Sequence, residues 1–211
     1  MITISAFAWV PDFARGQVRD LRVRWALEEA GLAYEVRLLE QGEQDTEGYR
    51  ALQPFGQVPI FQEGDLTLFE TGAIVLYVGE RSEALLPANA ARRAKASQWV
   101  IAALNSVEPY VAAFALLDLF YAGEEWAKLR RPGAQELMHK RLAGLSKALG
   151  DKEYLDGEGF TAGDLIMSTV LRILPEETAR YGNLEAYVQR CTARPAFRRA
   201  LDAQLGDFRP D

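Results

Sequence analysis

The chain has 211 residues, 49% of them apolar, which is enough for one large domain or two small ones with a buried core. Its net charge of −6 argues against a nucleic acid or an anionic membrane as the main partner, and its single cysteine excludes an intrachain disulfide bond. The first residues lack the basic segment and cleavage site of a signal peptide, so we expect a cytoplasmic protein.

The first 40 residues predict a strand, a helix and a second strand. Apolar and polar residues alternate over residues 2–6, as in a half-buried strand. From Val18 the apolar residues recur at helical spacing, and Gly31 follows the last turn as a helix-ending glycine. Arg24 precedes Glu28 by four positions, which predicts an ion pair along this helix. The segment AYEVRLL then predicts the second strand.

The next 40 residues predict a β-hairpin and a helix. The apolar segments VPIF and LTLF flank QEGD, which has the residues of a tight turn. The run TGAIVLYVGERS predicts a helix with Thr71 near its N-cap. These elements together predict a small α/β domain over residues 1–82, and SEALLPANA, which contains Pro87, is a plausible boundary.

Residues 89–211 predict a second, all-helical domain. Thr161 and Asp164 have the spacing of a capping box before an apolar run. The apolar run VAAFALLDLF is interrupted by Asp118, and we expect it to be too short to span a bilayer. The predicted helices cover roughly residues 90–122, 124–149, 162–174, 183–193 and 195–205.

Several of these motifs, taken together, resemble the cytosolic glutathione S-transferases. They are GQVPIF, LTLFETGAI, RWALEEAGLAYE, FTAGDL and RPAFRRAL. The resemblance implies a thioredoxin-like N-terminal domain followed by an all-helical C-terminal domain. It also implies a detoxifying transferase that directs the thiolate of glutathione, its cosubstrate, at a small hydrophobic electrophile or at a disulfide or peroxide. A homodimer is implied as well.

The segment around Pro59 is the first part of the implied glutathione site. The resemblance implies that the Val58–Pro59 bond is cis, so that the Val58 N–H and C=O face the cleft and pair with the peptide of the ligand. Such pairing is the addition of a very short strand to a sheet edge. Gln57 comes one residue earlier and is expected to hold the γ-glutamyl end of the ligand.

The helix that starts at Thr71 provides the second part of the site. Thr71 can bind a carboxylate at the helix N-terminus, and Glu70 can pair with an ammonium group. A γ-glutamyl group carries both charges on one carbon and therefore matches this pair. Arg50 is expected to hold the glycyl carboxylate. The predicted glutathione-binding residues are thus Arg50, Gln57, Val58, Pro59, Glu70 and Thr71.

The residue that activates the thiol is not evident. Glutathione S-transferases normally use Tyr, Ser or Cys near the first helix, but no Ser, Thr, Tyr, Cys, His or Lys lies between Ala6 and Ala33. One possibility is that the N-terminal amides of the first helix stabilise the thiolate together with Arg15 or Arg19, because a thiol pKa falls beside a helix N-terminus and a cation. Gln17 lies at the same helix start.

Two other possibilities remain open at this stage. Tyr110 or Tyr121 of the helical domain could activate the thiol instead. The protein could also bind glutathione without much catalysis, or serve as an interaction protein on the same fold, since fold does not fix function. An isomerase or dehalogenase branch is less favoured, because it usually has a Ser-rich loop where this chain has ARGQVRD.

The remaining reactive residue types favour structural roles. His139 has no second histidine with which to form a metal site, so we expect no metal. Cys191 is expected to pack as a small apolar residue. The resemblance implies that the first helix of the second domain forms a wall of the electrophile site, which makes Trp99 and Tyr110 candidates for that wall. The tryptophans are otherwise expected in the core, at positions Trp9, Trp25, Trp99 and Trp126.

Overall fold

The computed structural model describes residues 1–209, and its contacts divide the chain into two units. The first unit comprises Met1–Leu86 and the chain from Ala193 onward, and the second comprises Pro87–Thr192. The sequence had assigned everything after residue 89 to the helical domain. The final helix instead packs on the first unit, because its apolar face covers the first helix.

The first unit contains four strands and four of the helices. The strands are β1 (Ile2–Phe7), β2 (Tyr34–Leu39), β3 (Phe61–Glu63) and β4 (Leu66–Leu68). The helices are α1 (Asp20–Ala30), α2 (Glu47–Arg50), α3 (Thr71–Gly79) and, after the helices of the second unit, α10 (Pro195–Asp207). Short 3₁₀ turns lie at Asp12–Ala14 and Glu43–Asp45.

The four strands form one sheet in the order β2-β1-β3-β4. β1 and β2 are parallel, while β3 is antiparallel to both β1 and β4. The two predicted strands and the hairpin are therefore confirmed, although β3 begins only at Phe61, the last residue of the predicted segment VPIF. α1 packs against both α3 and α10, and the Trp25 side chain is completely buried among them.

The first helix differs from the prediction at its start and in its ion pair. It begins at Asp20, because Val18 and Arg19 form the turn that precedes it, and it ends at Gly31 in the left-handed conformation, as predicted. Arg24 pairs with Asp20, one turn earlier, and not with Glu28. The predicted pair is wrong because the Arg24 side chain is buried under α10, while Glu28 pairs with an arginine of α10.

The second unit is helical. Its elements are α4 (Ala90–Ala102), α5 (Glu108–Phe120), α6 (Glu125–Leu149), α7 (Ala162–Leu171), α8 (Pro175–Ala179) and α9 (Gly182–Thr192). The predicted capping box at Thr161 and Asp164 is confirmed. α7 ends at Leu171, three residues earlier than predicted, and the short α8 was not predicted.

α4 and α5 join through a π-helical turn, Ala103–Val107, into one helix of 31 residues. This helix is long and apolar enough by composition to cross a membrane, and 44% of its most apolar window is buried inside the protein. The single helix predicted over residues 90–122 is thus confirmed, and it is longer than the apolar run around Asp118 from which we expected a segment too short to span a bilayer. Buried core helices of soluble proteins meet the same criterion.

Asp156 gives the second unit a pH-dependent element of stability. Its carboxylate accepts hydrogen bonds from the amides of Glu158 and Gly159 and from the Arg92 guanidinium of α4. Burial raises the pKa of Asp156, but the hydrogen bonds from Gly159, Glu158 and Arg92 outweigh burial and hold the pKa below its usual value. The ionised form is therefore the one that stabilises the fold.

We expect the Asp156→Asn variant to lose roughly 1.5–3 kcal/mol of unfolding free energy at neutral pH, as for hydrogen bonds to a charged group. Because the pKa is lowered by folding, this contribution is present above the unfolded pKa of about 3.9 and is lost as the pH falls through the folded value. Urea denaturation across this pH range measures the difference. Asp151→Asn, at an exposed position nearby, is the control, and a difference that persists undiminished in acid would contradict the assignment.

Candidate functional site

A chain of hydrogen bonds holds residues 57–60 against the first strand. The Tyr49 hydroxyl of α2 donates to the Gln57 carbonyl at 2.8 Å, and Ser5 of β1 lies 2.9 Å from the same hydroxyl. Ser5 Oγ also accepts from the Ile60 amide at 2.7 Å. Burial raises the pKa of Tyr49, so its hydroxyl keeps its proton at neutral pH. The backbone on both sides of Pro59 is thereby fixed.

Within this fixed segment the Val58–Pro59 bond is cis, as predicted. The Val58 side chain is buried in a cluster with Leu39, Tyr49 and Ile60. Its backbone N–H and C=O, however, have no hydrogen-bond partner among residues 1–209. A donor and an acceptor on one residue, next to a sheet, are the groups that an extended peptide ligand pairs with.

Glu70 stands at the N-terminus of α3 in a strained conformation. It is the N-cap residue, with a positive φ of 69°, and the only non-glycine residue with positive φ in the described chain. Such strain costs of order 1–3 kcal/mol and is typical of functional sites. The Glu70 side chain is exposed, and its carboxylate has no hydrogen bond or ion pair within residues 1–209. It is therefore available to a cationic group.

Thr71 follows as the first residue of α3, and its side chain is buried. Its Oγ1 accepts a hydrogen bond from Arg22 Nη1 of α1 at 3.4 Å. Because Arg22 has no acceptor atoms, this contact leaves the hydroxyl hydrogen of Thr71 to be donated elsewhere. The geometry fits a carboxylate bound at the helix N-terminus. Arg22 itself is buried, which adds positive charge behind this position.

Arg22 was not predicted as a site residue. Ser5 and Tyr49 were missed as well, since all three act through contacts between residues far apart in the sequence. A signal for Arg22 was present: it lies between Leu21 and Val23 in the apolar pattern of α1, where a solvated arginine does not fit.

Two predicted ligand contacts have different surroundings. The Gln57 side chain is exposed and has no partner among the described residues, so it is available to a ligand. The Arg50 guanidinium is already engaged: it pairs with Asp45 at 2.6 Å and donates to the Pro54 carbonyl at 3.3 Å. Its prediction as a clamp for the glycyl carboxylate is untested, and a ligand there would compete with Asp45.

The residues predicted to stabilise the thiolate lie in the loop between β1 and α1. Arg19 is the N-cap residue of α1 and is exposed, and Gln17 is exposed two residues earlier. Arg15 points toward the C-terminal residues: it lies 3.3 Å from Asp12, and its Nη2 donates to the Arg209 carbonyl at 3.5 Å. The roles predicted for all three are untested, and Arg19 is the one placed at the helix start itself.

Two aromatic residues of this loop are exposed. The Trp9 side chain is 41% exposed and that of Phe13 is 53% exposed, whereas Trp25 is buried as predicted. Trp126 in the second unit is also exposed, so the core prediction fails for Trp9 and Trp126. Both exposed residues belong to the loop that also contains the residues predicted to stabilise the thiolate.

The other candidates lie in the second unit. The Tyr110 hydroxyl accepts from Arg141 at 2.8 Å, and the Tyr121 ring packs on Trp126. Trp99 packs closely over Gly163 of α7, where an added Cβ would lie 2.4 Å from the Trp99 Cβ. Their predicted contributions to thiol activation or electrophile binding are untested.

Cys191 and His139, which were expected to have structural roles, lie among other side chains of the second unit. Burial raises the pKa of the Cys191 thiol well above its usual value, which keeps it protonated. His139 contacts Glu177 and Tyr181. Within residues 1–209 there is no group of three or more His, Cys, Asp or Glu side chains that could hold a metal ion.

A four-stranded thioredoxin-like sheet with a cis proline before its third strand, joined to a helical unit, defines the class of protein. The family model of the glutathione S-transferase N-terminal domain matches residues 13–80. A glutathione S-transferase of Arabidopsis thaliana is 32% identical over 151 residues, which cover 66% of this chain and 68% of the relative. One of Zea mays is 30% identical over 161 residues, covering 72% of this chain and 71% of the relative.

The fold agrees with solved structures. A glutathione transferase of Burkholderia graminis, whose crystal structure holds two bound glutathione molecules per subunit, superposes with a TM-score of 0.82. It is 24% identical and covers 96% of this chain and 88% of its own. The chain belongs to the glutathione S-transferase family.

Proposed function

We propose that the first unit binds glutathione and that the protein transfers the glutathione thiolate to an electrophile. The observation that carries this proposal is that, within residues 1–209, the Val58 backbone N–H and C=O and the carboxylate of the strained Glu70 have no partner. The peptide of glutathione pairs with Val58, its ammonium group with Glu70, and its γ-glutamyl carboxylate with Thr71. Family membership and the glutathione bound to the Burkholderia graminis relative support the same ligand.

The reaction needs an ionised thiol close to the start of α1. The thiol proton leaves to solvent, the sulfur forms a bond to the electrophilic atom, and the leaving group departs with its bonding electrons. A helix dipole stabilises an anion by about 0.3–1 kcal/mol when exposed and by up to about 2 kcal/mol when partly buried. One pKa unit is about 1.4 kcal/mol, so the dipole alone lowers the thiol pKa by at most about 1.5 units.

In our proposal a guanidinium group supplies the rest of the decrease in the thiol pKa. Arg19 is the stronger candidate because it is the N-cap residue of α1, whereas Arg15 lies four residues earlier, in the loop before the helix. Gln17 contributes an amide that can donate to the thiolate. The proposed catalytic residues are therefore Arg15, Gln17 and Arg19.

A second candidate function is glutathione binding without efficient catalysis. It is favoured by one observation, the absence of any hydroxyl, thiol or imidazole side chain between Ala6 and Ala33. Activation by Tyr110 or Tyr121 is the remaining alternative. Activation at the start of α1, binding without catalysis and activation by a distant tyrosine each predict a different behaviour of the thiol pKa of bound glutathione in the wild type and in arginine variants.

We expect the thiol pKa of glutathione to fall on binding and to rise again in the Arg19→Ala variant by up to about one unit, with a smaller rise in Arg15→Ala. Titration of thiolate absorbance with protein in excess measures these values, and Arg37→Ala, at an exposed position on β2, is the control. A wild-type pKa equal to that of free glutathione would establish a binder. A lowered pKa that neither arginine changes would point to the amides, Tyr110 or Tyr121.

The finer parts of the function are also proposals. Exposed Trp9 and Phe13 support a small hydrophobic, aromatic electrophile and a role in detoxification. A thiol-exchange reaction with a disulfide or peroxide is the alternative chemistry for the same thiolate. We further propose a cytoplasmic C2 homodimer that requires neither metal, nucleic acid nor membrane, and analytical ultracentrifugation tests the oligomeric state.

A further inference from the structure

Residues at the end of α10 and directly after it contact the loop that carries the proposed catalytic residues. We call residues Gln204–Arg209 the C-terminal segment. The Arg209 amide donates to the Ala8 carbonyl at 2.9 Å, directly after β1. The Arg209 carbonyl accepts from Arg15 Nη2 at 3.5 Å, and the Arg15 guanidinium lies over the Phe208 ring at 5.9 Å. The loop is thus held near both its beginning and its middle.

The same segment also contacts the first turn of α1. The side-chain Nε2 of Gln204 donates to the Val18 carbonyl at 3.2 Å and to Asp20 Oδ1 at 2.7 Å. Val18 and Asp20 stand on either side of Arg19, the N-cap residue. One buried side chain from α10 therefore fixes the residues before and after the position at which we place the thiolate.

Charge strengthens this attachment. Arg24 Nε pairs with Asp20 Oδ2 at 2.7 Å, and Arg24 Nη2 pairs with Asp207 Oδ2 at 2.7 Å. Asp20 and Arg24 are each only 1% exposed. Because a buried charge without its partner is strongly unfavourable, the first turn of α1 and the end of α10 are held in one arrangement.

We propose that the C-terminal segment is a positioning element, with Gln204 as a positioning residue, that keeps the β1–α1 loop and the first turn of α1 in the conformation that stabilises the glutathione thiolate. This inference rests on the proposed function. Gln204 touches no ligand in it and acts through the Val18 carbonyl and the Asp20 carboxylate. The orientation of electrostatic groups before the reaction is what such an element provides.

Two variants, one substitution and one shortened chain, separate the two sets of contacts. Gln204→Leu removes both side-chain hydrogen bonds of Gln204 at similar volume. A chain ending at Asp207 removes the contacts of Phe208 and Arg209 and leaves Gln204 in place. Leu205→Ala, one residue along α10 at an exposed position, is the matched control.

The first measurement is hydrogen exchange of the amides between Ala8 and Leu21 without any ligand. We expect exchange to become about tenfold faster or more in Gln204→Leu and in the shortened chain, with little change in Leu205→Ala. Unchanged exchange in both variants overturns the proposal, whether or not glutathione binds. If Gln204→Leu does not fold, the shortened chain alone decides the outcome.

The second measurement is the pH profile of kcat/KM for the electrophile at saturating glutathione, with calorimetry of glutathione binding to the wild type. In Gln204→Leu and in the shortened chain we expect the acid limb of this profile to lie at a pH about 0.5 units or more above that of the wild type. Such a shift is about a threefold loss of thiolate at a pH below the thiol pKa. A purely structural role would lower the melting temperature without moving this limb, and that result overturns the proposal. A wild type that does not bind glutathione instead refutes the proposed function itself.

Discussion

The Glu70→Gly variant is expected to bind glutathione about tenfold to 150-fold more weakly than the wild type, while its ligand-free fold is at least as stable. The loss follows from removing one partner of a charge-assisted contact, worth about 1.5–3 kcal/mol. The stability follows from the positive φ of Glu70, 69°, which glycine adopts without strain. Calorimetry measures the affinity, and urea denaturation measures the free energy of unfolding.

Two further variants make this experiment specific. Glu70→Gln keeps the strained backbone and a hydrogen-bond acceptor but loses the charge, so we expect an intermediate loss of affinity. Glu83→Gly changes an exposed glutamate of the same unit whose φ is not positive, so we expect unchanged affinity and a small loss of stability, up to about 1 kcal/mol. Equal affinity of Glu70→Gly and wild type would refute the assignment of the γ-glutamyl site.

The opposite signs of the two effects distinguish a binding residue from a structural one. A residue that stabilises the fold loses stability when it is replaced. A residue that is kept in an unfavourable conformation for its ligand loses affinity and gains stability, by up to about 2 kcal/mol here if the strain is relieved. Glu70 has an exposed carboxylate, without a partner in the described part of the chain, on a strained backbone, which predicts the second behaviour.

The features that were predicted correctly are those encoded locally. The strands, the hairpin around Gly64 and the end of α1 at Gly31 follow from alternation and turn residues within a few positions. Thr71 was correctly predicted near the start of a helix because its position follows from the local pattern, while the ligand-binding roles of Glu70 and Thr71 stay predictions. The cis bond at Pro59 was expected only by resemblance, because nothing in the spacing of apolar residues fixes a peptide bond isomer.

The features that were missed depend on contacts between distant residues. The Thr71 hydroxyl is oriented by Arg22, 49 residues earlier. Tyr49 is tied to Ser5 across 44 residues. Arg24 was paired with Glu28 because helical spacing permits that pair, but helical spacing permits Asp20 equally well. Only the packing of α10 over this face decides between them, and that packing is not readable from α1 alone.

The buried charge network around Arg24 predicts the largest effect on stability. Arg24→Leu leaves the Asp20 carboxylate buried without its cation, and we expect a loss of about 3–5 kcal/mol in the free energy of unfolding. Arg199→Leu is the matched control, because this arginine of α10 also pairs with a glutamate of α1, at 2.6 Å, but its side chain is 56% exposed. Exposed pairs contribute about 0–1 kcal/mol. Urea denaturation at neutral pH measures both.

The double variant Asp20→Asn/Arg24→Leu tests whether the loss comes from the uncompensated charge. Burial raises the pKa of the Asp20 carboxyl, while Arg24 and Gln204 oppose that rise, so removing Arg24 alone leaves the least favourable state. Asparagine keeps an acceptor for Gln204 but carries no charge, and we expect the double variant to recover at least about half of the loss. If Arg24→Leu were no more destabilising than Arg199→Leu, the network would not contribute to the attachment of α10. If the two substitutions were additive, shape and not charge would account for the role of Arg24.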